Sequence, residues 1–162
     1  MWDKYSFLMP TMGILMLTFG SFSIAQAVDV QSNVQILAFC GLDIRSGSPL
    51  DYNAVKPGAV TDERAIFISN PGDASADILV RGTDWQGNVA TVMNVGATHY
   101  SATQGQSYDQ MNSLSSNDQS VMQLDPGNPP PIEGTFWRLK ADLTDPSFRG
   151  TASQTLTLTA QC

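Results

Sequence analysis

Few residues in this 162-residue chain are suited to nucleophilic or metal chemistry: Cys40, Cys162 and the single histidine, His99. Cys40 lies in ILAFCGLDI, residues 36–44. A cysteine there can be a lipid anchor, a catalytic thiol, a metal ligand or half of a disulfide. An anchoring cysteine directly follows a signal's apolar core and sits behind a small residue; here bulky Phe39 precedes it. A catalytic thiol needs a base to hold it as thiolate, and His99 lies in a polar stretch that nothing in the sequence links to Cys40. A metal site needs three or four ligands at suitable spacing, which two distant cysteines and one histidine do not supply. A disulfide between Cys40 and Cys162 fits best. Both residues fall on the apolar face of an alternating stretch, and an oxidising compartment pairs two cysteines by default. The bridge closes a loop of about 120 residues, which chain entropy values at about 4–5 kcal/mol. Two unpaired buried thiols remain the reading for a reducing compartment.

The other chemistry-bearing residues are acidic or aromatic. Asp73, Asp77 and Asp84 flank one apolar stretch, and Asp142 and Asp145 flank another. Paired carboxylates do acid–base work or bind calcium, but this spacing matches no calcium loop and reads as solvated turn carboxylates. Trp85, Tyr100 and Tyr108 are candidate contacts for a stacked sugar, while Trp137 falls on the core side of its strand. There is no nucleophile elbow, phosphate-cradling glycine loop or nucleotide fingerprint. The reading is therefore of a protein that is not an enzyme, with no cofactor and no metal.

The elements that position these residues begin after a leader. Residues 1–27 carry an apolar run closed by Ala25-Gln26-Ala27, the small-x-small pattern of a signal-peptidase site. Cleavage leaves residues 28–162 as one domain with net charge −7, since Asp3 and Lys4 cancel. No further stretch is long and apolar enough to span a membrane. An acidic chain with scattered charges repels nucleic acid and anionic lipid. Thr, Ser, Asn, Gln and Gly in place of charges suit an extracellular β protein.

The mature chain opens on VDVQSNVQI, where Val28, Val30, Val34 and Ile36 alternate with polar residues. That is the period of a half-buried strand, and its even-numbered face runs on through Ala38, Cys40, Leu42 and Ile44. VTDERAIFISN is a second strand, ended by the turn signal Asn70-Pro71-Gly72-Asp73. ADILVRGTDW and NVATVMNV are a third and a fourth. Thr98 to Asp118 reads as a long polar loop with one helical turn near Tyr108–Leu114. SVMQLD is a short strand, and PGNPPPIEG a loop or sheet edge, because proline cannot pair mid-sheet. TFWRLKADL and TASQTLTLTAQC alternate again and close the chain. Short strands between Gly/Pro turns, with no helical period, predict an all-β fold: a single β-sandwich, jelly-roll or immunoglobulin-like.

The stretch from Val55 to Trp85, with Lys56-Pro57-Gly58, Ile66, Ile68, Asn70, Gly72, Ile78 and Val80, resembles secreted β-sandwich proteins of the camelysin/TasA type and archaeal bundling-pilus subunits. The GTDW strand end and the C-terminal LTxxxC are also similar to archaeal secreted proteins. The resemblance implies a jelly-roll subunit that polymerises outside the cell, its first mature strand completing the sheet of the next subunit. Residues 28–36 are then the donor strand, and the partners are further copies of the chain. The expectation is a structural protein of the cell surface, an extracellular filament subunit. The alternative is an extracellular carbohydrate- or surface-binding module that contacts a surface glycan through Trp85, Tyr100 and Tyr108.

Overall fold

The computed structural model describes residues 38–162. The expected signal peptide (1–27) and the candidate donor strand (28–36, with Val28, Val30, Val34 and Ile36) lie outside the described residues. Ten strands follow: β1 (Asp43–Ser46), β2 (Arg64–Ser69), β3 (Ala76–Gly82), β4 (Trp85–Gln86), β5 (Thr91–Met93), β6 (Thr98–Ser101), β7 (Asn112–Ser113), β8 (Gln119–Leu124), β9 (Ile132–Leu139) and β10 (Leu156–Gln161). The helical content of the described residues is two single 3-10 turns, Val95–Ala97 and Tyr108–Gln110. None is long and apolar enough to cross a membrane.

The strands form a five-stranded sheet in the order β1-β2-β9-β6-β7, a three-stranded sheet β10-β3-β8, and a short ribbon of β4 with β5. Every strand pair is antiparallel. Alternation decides which side of each strand is inside. In β3, Ala76, Ile78 and Val80 are buried while Asp77 and Arg81 face water. From the larger sheet Ile66, Ile68, Tyr100, Trp137 and Leu139 join Ile78, Val80 and Leu124 of the smaller one in a single core. The molecule is a β-sandwich.

Trp137 sits at the centre of that core with no solvent exposure. Its indole N–H donates to Thr135 Oγ1 at 2.9 Å, and that hydroxyl donates to the Ile66 carbonyl at 3.2 Å. Each buried polar atom of this row thus has a partner, as burial demands.

Three sequence expectations need correction. Thr98–Ser101 is not loop but strand β6, paired with both β9 and β7. Thr98 and Tyr100 are buried on its inner face, and polarity hid the alternation because the inward residues carry hydroxyls. Strand β9 starts at Ile132, within the stretch assigned to a loop or edge; the ladder begins directly after Pro131, so the prolines stay outside it. The alternation from Ala38 to Ile44 does not make one strand. Strand β1 spans only Asp43–Ser46, because Phe39–Gly41 is held by a turn instead of a ladder.

Candidate functional site

Cys40 and Cys162 are joined, with Cα atoms 5.8 Å apart across 122 positions of sequence. The bridge is one part of a larger clamp built by the 70–74 turn. Asn70 is fully buried and uses its whole carboxamide. Its Oδ1 accepts the Gly41 N–H at 3.0 Å and the Gly72 N–H at 2.9 Å. Its Nδ2 donates to the Ala74 carbonyl at 2.7 Å and the Leu124 carbonyl at 3.2 Å. The Phe39 N–H donates to Asp73 Oδ1 at 2.6 Å, and the Phe39 carbonyl accepts the Asp73 and Ala74 amides at 2.8 and 3.1 Å. Gly72 is required by close approach: a Cβ there would stand 2.2 Å from the Phe39 carbonyl oxygen and 2.7 Å from Cys40 Cα. The Asn-Pro-Gly-Asp turn signal was legible in sequence. Its use, holding the chain that enters the domain, was not.

The disulfide ties this clamp to the end of β10, an edge strand of the smaller sheet. Exposed strand edges are templates for pairing with another chain, and proteins blunt them with charge, bulges or shortness. Three of the four edges of the two sheets are blunted. β1 carries Asp43 and Arg45, joined as an ion pair at 3.0 Å, and a bulge between Ile44 and Ser46. β7 has two residues. The β8 ladder is irregular, shifting register opposite Ile78 and Leu79. β10 has none of these devices. Its six residues, LTLTAQ, hold no charge and no proline, and its register against β3 runs unbroken from Leu156↔Gly82 to Gln161↔Asp77. Leu156, Leu158 and Ala160 pack only partly against the core. Among the described residues its second edge has no partner.

The aromatic residues read as candidate glycan contacts do not share one exposed surface. Tyr100 is buried on β6 with its ring centroid 5.7 Å from that of Trp137. Trp85 is buried too, its indole N–H donating to Thr98 Oγ1 at 2.9 Å. That hydroxyl donates to Gln154 Oε1 at 2.8 Å, and Gln154 Nε2 donates to the Thr83 carbonyl at 2.7 Å, so the tryptophan is fixed from three segments. Tyr108 is half-buried and stacks on His99 at 3.8 Å. Its hydroxyl donates to the Ala97 carbonyl at 3.1 Å. The His99 Nδ1 lies 2.7 Å from the Tyr108 carbonyl oxygen, which makes Nδ1–H the donor.

Asp73, Asp84 and Asp145 serve backbone geometry, and Asp77 faces water. Asp84 Oδ1 accepts the Val95 N–H at 2.8 Å, and Asp145 Oδ1 accepts both the amide and the hydroxyl of Ser147. The Ser147 bonds hold the Asp145 carboxyl below the usual aspartate range. Among the described residues no three His, Cys, Asp or Glu side chains stand together as a metal site would require. The chain matches no known protein-family model and no curated protein.

Proposed function

We propose that the chain is a secreted structural protein of the cell surface, a filament subunit that assembles by β-strand donation with residues 28–36 as donor. The observation that carries this reading is the unguarded edge of β10 beside the Cys40–Cys162 bridge. Main-chain hydrogen bonds along that edge give affinity, and the half-covered row Leu156, Leu158 and Ala160 offers apolar contact to a partner with period-2 alternation. Residues 28–36 have that alternation in Val28, Val30, Val34 and Ile36.

Electron microscopy of the purified mature chain tests this reading, with filaments expected and their loss on deleting residues 28–36. A monodisperse monomer whose residues 28–36 resist protease would sink it. The alternative, a surface-glycan module, has less support, because Trp85 and Tyr100 are buried.

A further inference from the structure

Residues 48–57 run over the core between two glycines at positive φ, Gly47 at +88° and Gly58 at +76°, and bury Tyr52 alone. Among the described residues no backbone group from Ser48 to Val55 pairs with another backbone group. The segment is held by its side chains. Leu50 and Val55 pack partly against the core, and Tyr52 is buried with its ring edge-to-face on Trp85, centroids 6.0 Å apart. A segment anchored by side chains alone, between Gly47, which packs on the Ala65 backbone, and Gly58, whose amide donates to the Ala141 carbonyl at 2.8 Å, is a strap that can lift between two fixed ends without breaking a ladder.

Under it lies a cavity of about 560 Å³, walled by Tyr52, Val55, Trp85, Met93, Leu143 and Phe148. Volume and aromatic lining are those of a small-molecule site. Two of the polar groups at its rim are already engaged. Asp51 Oδ1 accepts the Asn53 N–H at 2.7 Å, and the Arg149 guanidinium donates to the carbonyls of Pro146 and Phe148. The wall of Trp85, Met93, Leu143 and Phe148 offers no partner to the hydroxyls of a sugar and suits an apolar body.

Two polar atoms beside the strap lack partners. The Tyr52 hydroxyl and Arg64 Nε are both buried and without a hydrogen bond. Arg64 lines a second cavity of about 320 Å³ that shares Leu50, Asp51 and Asn53 with the strap. Both groups are donors, and a buried donor without an acceptor costs free energy in the closed strap. An acidic oxygen in the first cavity, which Tyr52 lines, would give that hydroxyl an acceptor and would lie in the field of the Arg64 charge.

We propose that residues 48–57 close over a binding site for an amphiphile, with an apolar ring system or acyl chain among Trp85, Met93, Leu143 and Phe148 and an oxygen-acid head that accepts from the Tyr52 hydroxyl in the field of the Arg64 charge. The strap lifts between Gly47 and Gly58 to admit the ligand, and its closure brings the head to the Tyr52 hydroxyl. This site does not depend on strand donation, and either can fail alone.

The full, disulfide-bonded chain is titrated with 1-anilinonaphthalene-8-sulfonate by fluorescence, and with dodecanoate and 1-dodecanol by calorimetry. One saturable site is expected, with dodecanoate displacing the dye. Phe148→Ala should weaken all three probes by roughly tenfold. Tyr52→Phe should weaken dodecanoate by about fivefold and dodecanol, whose neutral oxygen is the weaker acceptor, by clearly less. Near-ultraviolet circular dichroism of each variant separates lost binding from lost fold; if Phe148→Ala unfolds, the Tyr52→Phe comparison decides alone. Phe67→Ser and Ile132→Ser, on exposed apolar residues elsewhere, should change nothing. Absence of saturable binding, equal effects of Tyr52→Phe on acid and alcohol, or loss of binding in Phe67→Ser or Ile132→Ser overturns the proposal. So does dye binding that falls as chain concentration rises, which would give the cavity to a second copy.

Discussion

The Asn70 carboxamide accepts the Gly41 amide at 3.0 Å, one residue beyond the disulfide cysteine. Through that bond the turn after β2 and the chain entering the domain become one unit. Asn70→Ala leaves the Gly41 and Gly72 amides and the Ala74 and Leu124 carbonyls short of a partner. Unsatisfied buried groups cost about 1–3 kcal/mol each where water cannot reach them. Chemical denaturation should show a loss of about 3 kcal/mol or more. Asn70→Asp keeps the acceptor but loses both donors and buries a charge, so it should be no better tolerated.

Removing the bridge by Cys40→Ser with Cys162→Ser should lower stability by up to about 4–5 kcal/mol, the chain-entropy value for a loop of this size. The loss should begin at the end of β10, where terminal residues fray once untied. Hydrogen exchange that rises first in Ala160–Gln161 is the expected signature; uniform exchange across both sheets would contradict it.

Guarding the open edge should separate folding from assembly. Thr157 and Thr159 lie on the face of β10 opposite Leu156 and Leu158. Thr157→Lys with Thr159→Lys places two charges on an edge strand without entering the core. The thermal midpoint should move by only a few degrees, and filaments of the mature chain should disappear. Filaments formed equally well by this variant would move the acceptor away from β10.

Burial pushes the Tyr52 phenol well above the usual tyrosine range, with the Arg64 charge pulling the other way. Burial raises Tyr100 and Tyr108 as well. The unfolded chain ionises its tyrosines near pH 10, while the folded chain holds these protonated. Unfolding then releases protons, so stability is full below about pH 10 and falls as pH rises above it. Tyr52→Phe should flatten part of that fall. At neutral pH it should leave stability equal or higher by up to about 1 kcal/mol, because the hydroxyl it removes has no partner.

The strands that alternate apolar with polar residues were legible in sequence: Ala76–Gly82, Ile132–Leu139 in its Thr135–Leu139 part, and Leu156–Gln161. So was the pairing of Cys40 with Cys162, since two cysteines on apolar faces leave each other as the simplest partner. Strand β6 was not, because Thr98 and Tyr100 look polar in one dimension and lose that polarity only when Trp85 and Gln154 meet the Thr98 hydroxyl.

By itself, then, the sequence determined what depends on neighbours along the chain, the period of the apolar-alternating strands and the turn at Asn70-Pro71-Gly72-Asp73, and, because the chain has two cysteines, their pairing. The tertiary structure decided which strand ends a sheet, which places β10 at an unguarded edge. It also decided that Trp85 lies inside and that a cavity opens beneath Tyr52. The physical reason is range. Alternation and turn chemistry act over a few residues, whereas edges, burial of a given ring and empty volume arise from segments brought together across the whole chain.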